Sequence, residues 1–391
     1  MDKEKLIQQY KSELLENVIP FWEKNSRDEA FGGYFTCLDR QGKVYDTDKF
    51  IWLQGREVWM FSSLYNRVEQ KQEWLDMALH GAKFLQQYGH DGDLNWYFSL
   101  TREGKPLIEP YNIFSDCFAT MAFGQLYKAT GKEEYGMVAK RTFENILKRA
   151  GNPKGRFNKS VPGTRPLKGF SLPMILCNLS LEIEHLLSEE LVEETIHNVL
   201  FEVMDVFYQP DSGLILENVN PDGSFSDSHE GRLLNPGHAI EAMWFIMDLS
   251  ERLSRPELAR EAADIALRTL KYGWDETYGG IYYFLDIKGH PTQQLEWDQK
   301  LWWVHMETLI TLIKGYQLTG DQECLRWFEK VQDYTWSHFP DPEFGEWFGY
   351  LNRRGEVLLP LKGGKWKGCF HVPRGLYQVW KTLEKTENRE G

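Results

Sequence analysis

Apolar residues recur three and four positions apart over twelve stretches of the chain: 3–23, 53–68, 73–88, 114–130, 134–149, 172–187, 191–207, 238–253, 256–272, 302–318, 321–338 and 372–384. That spacing predicts twelve helices. They are of two kinds. The stretches 3–23, 73–88, 134–149, 191–207, 256–272 and 321–338 carry regular charged stripes, the mark of a helix with one solvated face. The stretches 114–130, 238–253 and 302–318 are apolar almost all round and belong inside. Between the helices lie short aromatic segments with a polar, glycine-containing turn: GYFTCLDRQGKV from Gly33, GIYYFLDIKGH from Gly280 and GEWFGYLNRRGEV from Gly345. These read as β-hairpins. Weaker copies begin at Gly92, Gly155 and Gly213.

Units starting at 32, 92, 155, 213, 279 and 345 nearly fill the chain. A repeat of this kind sets the fold before any single motif does. Six pairs of outer and inner helices close into an all-α (α/α)6 barrel, a single domain over 1–391. The hairpins are expected at one end, over the first turns of the inner helices.

Charge and composition narrow the partners. With 45 Lys+Arg against 58 Asp+Glu, the net charge is −13, which argues against nucleic acid and against an anionic membrane surface. The longest apolar run, 171–181, is far short of the ~20 residues that span a bilayer. The N-terminus lacks the apolar core of a signal peptide. The 5 cysteines are odd in number and form no CxxC, as in a reduced, cytoplasmic protein. Aromatics make up 14% of the chain, including 15 Trp, which suits flat-faced recognition of sugars.

In such a barrel the inner-helix starts converge on one cleft. Those starts hold Arg56; Asp116; Lys168; His238 with Glu241; Trp302, Trp303, His305 and Glu307; and His371 with Arg374. A histidine suits general acid or base work near neutrality, and an arginine suits an oxyanion. Two bases facing one carbon can take a proton from one face and return one to the other. The bland alternatives are a satisfied core histidine for His238, a salt bridge to Glu57 or another acid for Arg56, and core packing for Trp302 and Trp303. His305 and Glu307 are two apart, so at most one of them faces the cleft. No HExxH or other metal spacing occurs, and no catalytic metal is expected. Gly363-Gly364-Lys365-Trp366-Lys367-Gly368 is either a phosphate-binding loop or a basic loop beside the cleft. It lacks P-loop spacing.

At GRLLNPGHAIEAMW from Gly231, EWDQKLWWVHME from Glu296 and KGGKWKGCFHVPR from Lys362 the chain resembles the N-acylglucosamine 2-epimerase family, known in animals as renin-binding protein. The resemblance covers essentially the whole chain. It implies an (α/α)6 barrel, usually a homodimer, interconverting N-acetylglucosamine and N-acetylmannosamine. It implies catalytic roles for His238 and His371, with Arg56 and Glu307 completing the polar site. Glu241, Trp302, His305, Asp116 and Lys168 are the expected substrate contacts. It also implies ATP as an effector that is not consumed, associated with Gly363, Gly364, Lys365, Lys367 and Gly368. The related cellobiose 2-epimerases and aldose–ketose isomerases usually carry a further histidine in the third inner helix. Here that region, Lys168–Ile175, has none, which favours the N-acylglucosamine branch.

Three rival readings stay open at this point. An inverting glycoside hydrolase on the same barrel needs two carboxylates roughly 6.5–9.5 Å apart, and Asp116, Glu241 and Glu307 are the candidates. A non-catalytic protein-binding module needs a broad interface and has no use for His238 and His371 together. A mannose or glucose isomerase, or a cellobiose 2-epimerase, would share the fold, which does not settle function.

Overall fold

Asp2 accepts the backbone amide of Lys5 and starts the first helix, α1 (Lys3–Ser12). A π turn (Glu13–Val18) carries it into α2 (Ile19–Asn25), making one rod. Pro20 accounts for the wide turn: it has no N–H, and its ring would strike the carbonyl four residues back in a regular helix. The computed structural model describes residues 2–161 and 163–386. The remaining helices alternate inner and outer: α3 (Ile51–Arg67), α4 (Gln72–Tyr88), α5 (Phe114–Thr130), α6 (Glu133–Arg149), α7 (Ser171–Glu182), α8 (Glu189–Phe201), α9 (Pro236–Leu253), α10 (Pro256–Gly273), α11 (Trp302–Thr319), α12 (Gln322–His338) and α13 (His371–Lys385).

The inner helices pack in chain order, α3 on α5, then α7, α9, α11 and α13. The ring closes where Trp59 of α3 meets Phe370 at the start of α13, centroids 5.3 Å apart. Every side chain of α11 from Trp302 to Tyr316 is buried. On α10, by contrast, Leu258, Ala262, Ile265 and Thr269 are buried while Glu257, Arg260, Asp264 and Arg268 face solvent. The two kinds of hydrophobic pattern thus sort the helices into the two layers of an (α/α)6 barrel. Helices α3 and α5 approach closely at Gly55, where a Cβ would lie 2.8 Å from the Phe118 carbonyl carbon.

Short antiparallel pairs link each strand that enters an inner helix to the next hairpin: Lys49–Phe50 with Ser99–Leu100, Lys168–Gly169 with Asn218–Val219, Leu233–Leu234 with Leu285–Asp286, and Lys300–Leu301 with Tyr350–Leu351. The hairpin expected from Gly155 does not form. Gly155–Phe157 is a 3₁₀ turn, and the described residues from 158 to 167 hold no strand. Phe157 is the only aromatic residue of that copy, and its side chain is only half-buried.

Three hairpins share a buried ionic anchor. Asp28, Asp275 and Asp341 each precede a Phe/Tyr-Gly pair by three residues. Each receives a buried lysine from the segment leading into an inner helix: Lys49 at 2.9 Å, Lys300 at 3.1 Å and Lys362 at 2.9 Å. Each also receives an arginine from a neighbouring hairpin: Arg102, Arg353 and Arg40 at 2.9, 3.0 and 2.8 Å. Burial alone would raise the Asp28 pKa. Arg102 and Lys49 outweigh it and hold the carboxyl at about 2, against an ordinary 3.8. Asp275 and Asp341 are lowered further. A carboxylate with a depressed folded pKa contributes stability that is complete above the unfolded pKa and is lost as pH falls through the folded one. The hairpin ring should therefore hold above pH ~4 and fail between ~4 and ~2. Near-UV circular dichroism across that window checks this, and an unchanged spectrum at pH 2 would contradict it.

Candidate active site

Helix α9 begins with Pro236 at its first turn and the Asn235 side chain accepting the His238 amide at 3.2 Å. This cap fixes where His238 stands. Its Nδ1 lies 2.9 Å from Glu217 Oε1, and 27% of its side chain reaches solvent. Burial works against its charged form, but the Glu217 charge and hydrogen bond, with Glu241 behind, outweigh it. The His238 pKa is raised above the ordinary 6.5.

His371 opens α13. Its Nδ1 lies 2.7 Å from Glu307 Oε1, and that carboxylate is already engaged. Arg374, one turn on, reaches Glu307 Oε1 at 2.7 Å and Glu241 Oε1 at 2.5 Å with the same Nη2. The Trp244 indole N–H donates to Glu307 Oε2 at 2.9 Å. Burial lowers the His371 pKa, and Arg56 and Arg374 lower it further, to well below 6.5. The two histidines are thus biased in opposite directions. Both rings lean on the single indole of Trp303, with centroids 5.2 Å from His238 and 5.8 Å from His371.

Arg56 completes the group from α3. Its guanidinium lies over Trp52, Phe118 and Phe370, 4.4, 4.1 and 4.6 Å from the ring centroids. It pairs with no carboxylate among the described residues, and its Nε is buried without a partner. Glu57, its neighbour in sequence, turns away to the Ser26 hydroxyl at 2.5 Å. Burial and the Arg374 charge push the Arg56 pKa down to about 9. An aromatic cage holds this cation. Glu241, Glu307 and His371 offer ligand atoms within 4.8 Å of one another, an arrangement with metal-site spacing. The Arg374 guanidinium bonds both carboxylates and supplies the positive charge there.

The sequence model of the N-acylglucosamine 2-epimerase (GlcNAc 2-epimerase) family matches residues 33–372. The chain belongs to this family. It is 41% identical over 377 residues to N-acylglucosamine 2-epimerase of Mus musculus, covering 93% of this chain and 88% of that one. It is 26% identical to a cellobiose 2-epimerase of Ruminococcus albus, covering 88% and 90%. Among solved structures, cellobiose 2-epimerase of Bacillus thermoamylovorans superposes with a TM-score of 0.84 at 21% identity, over 97% of this chain and 99% of that one. The family and these relatives are sugar epimerases, of the isomerase class.

Within this N-acylglucosamine 2-epimerase fold, the expected site residues divide. Arg56, His238, Glu241, Glu307 and His371 come together: the two histidines lean on Trp303, Arg374 joins Glu241 to Glu307, and Arg56 lies within electrostatic reach of His371. Trp302 adjoins them, its ring 6.3 Å from His371 and its Nε1 buried without a partner. His305 does not join the cleft. It is fully buried on the outer side of α11, with Nε2 accepting the Ile281 amide at 3.1 Å and Nδ1 2.7 Å from the Leu301 carbonyl oxygen. Burial drives its pKa to about 3. It latches a hairpin to the helix, as Gln54 does for Tyr34. Asp116 fills the same role for Trp96 and is ion-paired to Arg149 of α6. Lys168 pairs with Glu202 Oε1 at 2.6 Å, beside a cavity of 920 Å³ that also touches α6 and α8.

In the glycine- and lysine-rich loop, Lys367 and the Gly363 and Gly364 amides are already engaged within the protein. The Lys367 ammonium is buried against Glu346 Oε1 at 2.9 Å. The Gly363 amide donates to Leu38 and the Gly364 amide to the Lys367 carbonyl. A Cβ on Gly363 would sit 2.1 Å from the Thr36 carbonyl oxygen, and one on Gly368 3.3 Å from Leu53. These glycines let the loop pass under the first hairpin. Only the Lys365 and Trp366 side chains of this loop face solvent.

Glu217 escaped the sequence reading, and Arg374 was placed at the cleft without a role. Glu217 sits in the weak fourth hairpin, and its one signal is a charge set in the apolar run LILENV. Arg374 stands at an inner-helix start, but its two carboxylate partners are 133 and 67 residues away.

Proposed function

We propose that this protein interconverts N-acetylglucosamine and N-acetylmannosamine by removing and returning the proton at C2. The observation that carries the reading is the pair of imidazoles from α9 and α13 on one indole, each with Nδ1 tied to a carboxylate and Nε2 left for substrate. The open-chain sugar presents an aldehyde at C1, which acidifies the C2 proton. One histidine takes that proton and charge builds on O1. Arg56 gains an anion at this moment and not before, so its stabilisation falls on the transition state. The other histidine delivers a proton to the opposite face of C2. The carbonyl is the electron sink, so no redox step enters.

The first turn of α7, Ser171–Ile175, brings no histidine to the cleft. This supports the N-acetyl sugar over a disaccharide. Proton NMR of each sugar with the enzyme in D2O tests the proposal. N-acetylmannosamine should turn over orders of magnitude faster than mannose or cellobiose, with deuterium at C2 of the product. Equal turnover of cellobiose would move the protein to the sister activity.

The same reading, on the strength of the family resemblance, carries ATP as an unconsumed effector, a homodimer and a cytoplasmic setting. Lys365, 4.9 Å over the Trp366 ring, is the loop cation free to meet a nucleotide. ATP should raise the melting temperature by linkage, and Lys365→Ala should reduce that rise. An unchanged rise in the variant places the nucleotide elsewhere.

A further inference from the structure

Glu217 is held by its backbone on both sides. Its amide donates to the Leu233 carbonyl at 3.1 Å, and its carbonyl accepts the Phe170 amide at 2.9 Å. It is thus fixed between the segment entering α7 and the strand entering α9. Its carboxylate is 13% exposed and is paired with no lysine or arginine among the described residues. In this it differs from Glu307, whose charge is shared with Arg374 and the Trp244 N–H. The two histidine–carboxylate pairs look alike in distance and are unlike in charge. One carries a net negative group, the other a carboxylate already neutralised.

We propose that Glu217 is a positioning residue for His238. It accepts the Nδ1–H, fixes that tautomer, and makes His238 the proton donor of the resting pair with Nε2–H turned to the sugar. The inference rests on the epimerase reading above. In the first half of the reaction His371 Nε2 takes the C2 proton while the C2–H electron pair moves into C1–C2 and onto O1. In the second half His238 Nε2–H gives its proton to the other face of C2 as the C1 carbonyl reforms. His238 is then neutral with Nδ1–H still on Glu217, so its Nε2 lone pair is set for the reverse direction.

The groups facing His238 are few. They are Glu217 from the hairpin, Glu241 from its own helix and His371 from α13, with the uncharged Trp303 ring from α11. The Tyr283 hydroxyl lies within electrostatic reach of Glu217. Both carboxylates favour the imidazolium, and Glu217 is the one in contact.

The test is the pH profile of Glu217→Gln. Glutamine keeps the size and an acceptor oxygen but loses the charge. The basic limb of kcat/KM should move down by about one pH unit, and the value near pH 8 should fall about tenfold. The fall must be equal in both directions, because the equilibrium constant fixes their ratio. It should sit in kcat and leave KM near wild type. Glu217→Asp, which restores the charge, should return the limb toward its place. A basic limb unmoved in an active Glu217→Gln variant overturns the proposal, whatever happens to kcat. Nitrogen-15 spectra of histidine-labelled wild-type protein without sugar give a second measurement, independent of how the variant folds. His238 should appear as the Nδ1–H tautomer and titrate above 6.5. An Nε2–H tautomer, or titration below 6.5, also overturns it. Wild-type protein that shows the expected spectrum but epimerises neither sugar would instead sink the functional reading and leave the His238–Glu217 pair standing.

Discussion

His238→Asn and His371→Asn should each abolish net epimerisation in both directions while leaving the melting temperature close to wild type. General acid–base groups contribute on the order of 10²–10⁴-fold, and residual inversion should be lower by that factor or more. Each histidine is the base for one epimer and the acid for the other, so neither direction survives the loss of either. Half-reactions separate the two. In His238→Asn the remaining His371 has its pKa lowered by burial and by Arg56 and Arg374, so it is neutral at pH 7. It should exchange the C2 proton of one epimer with D2O at that pH, without inversion. In His371→Asn the remaining His238 has its pKa raised by Glu217 and Glu241, against burial. It must lose a proton before acting as a base, so exchange of the other epimer should grow as pH rises through that raised pKa. The wild-type profile follows from the same signs. Below the lowered pKa the pair gains a second proton and the base is lost. Above the raised one it loses its only proton and the acid is lost. The plateau lies between the lowered and the raised pKa, and its limbs belong to the coupled pair. Proton NMR in D2O reads both variants. Near-normal inversion in either one overturns the two-base scheme and turns attention to Glu241 or Glu307.

The residues legible in the sequence were those whose place the repeat dictated. Once six units are aligned, the first turn of each inner helix is known, and Arg56, His238, Glu307 and His371 stand there. Which way a first-turn side chain points is a matter of helix phase to within about one residue, since a one-position shift turns it by ~100°. That is why His305 and Glu307 were not separable: one latches Ile281 on the outside and the other bonds His371. Asp116 failed for the same reason. The basic loop misled differently. Lys367 reads as a free loop cation, but its anion is Glu346, 21 residues earlier, at φ +52 where the sister hairpins carry Gly33 and Gly280. A buried charge pair between two loops leaves no periodic trace. Glu217 lies in the bend between two two-residue strands, and the pairing of Lys168–Gly169 with Asn218–Val219 and the bond to Leu233 bring it beside the cleft.

Replacing Arg374 by Met should have the largest effect on stability of any single change at the site. The side chain is 1% exposed, and its Nη2 is the bridge between Glu241 and Glu307. Removing it strands two buried carboxylates, and breaking a buried pair in this way costs about 3–5 kcal/mol. That is a large part of the 5–15 kcal/mol typical of a folded domain, so the urea midpoint should drop steeply with the slope unchanged. Chemistry shifts with it. Arg374 is one of the two cations that keep His371 neutral, and it also shares the Glu307 charge. Without it Glu307 is free to stabilise the imidazolium, the His371 pKa rises, and the acid limb of kcat/KM moves to higher pH. Arg374→Lys keeps a charge on a shorter point donor that cannot bridge both carboxylates. It should recover part of the stability and part of the acid limb. The Met variant should also acquire what the wild type lacks. Glu241, Glu307 and His371 offer ligand atoms within 4.8 Å, and with the guanidinium gone a divalent cation is the natural replacement for its charge. Zinc or manganese should then raise the melting temperature of Arg374→Met and leave that of the wild type alone. A Met variant with the wild-type urea midpoint and an unmoved acid limb would show that Arg374 neither supports the buried carboxylates nor governs His371.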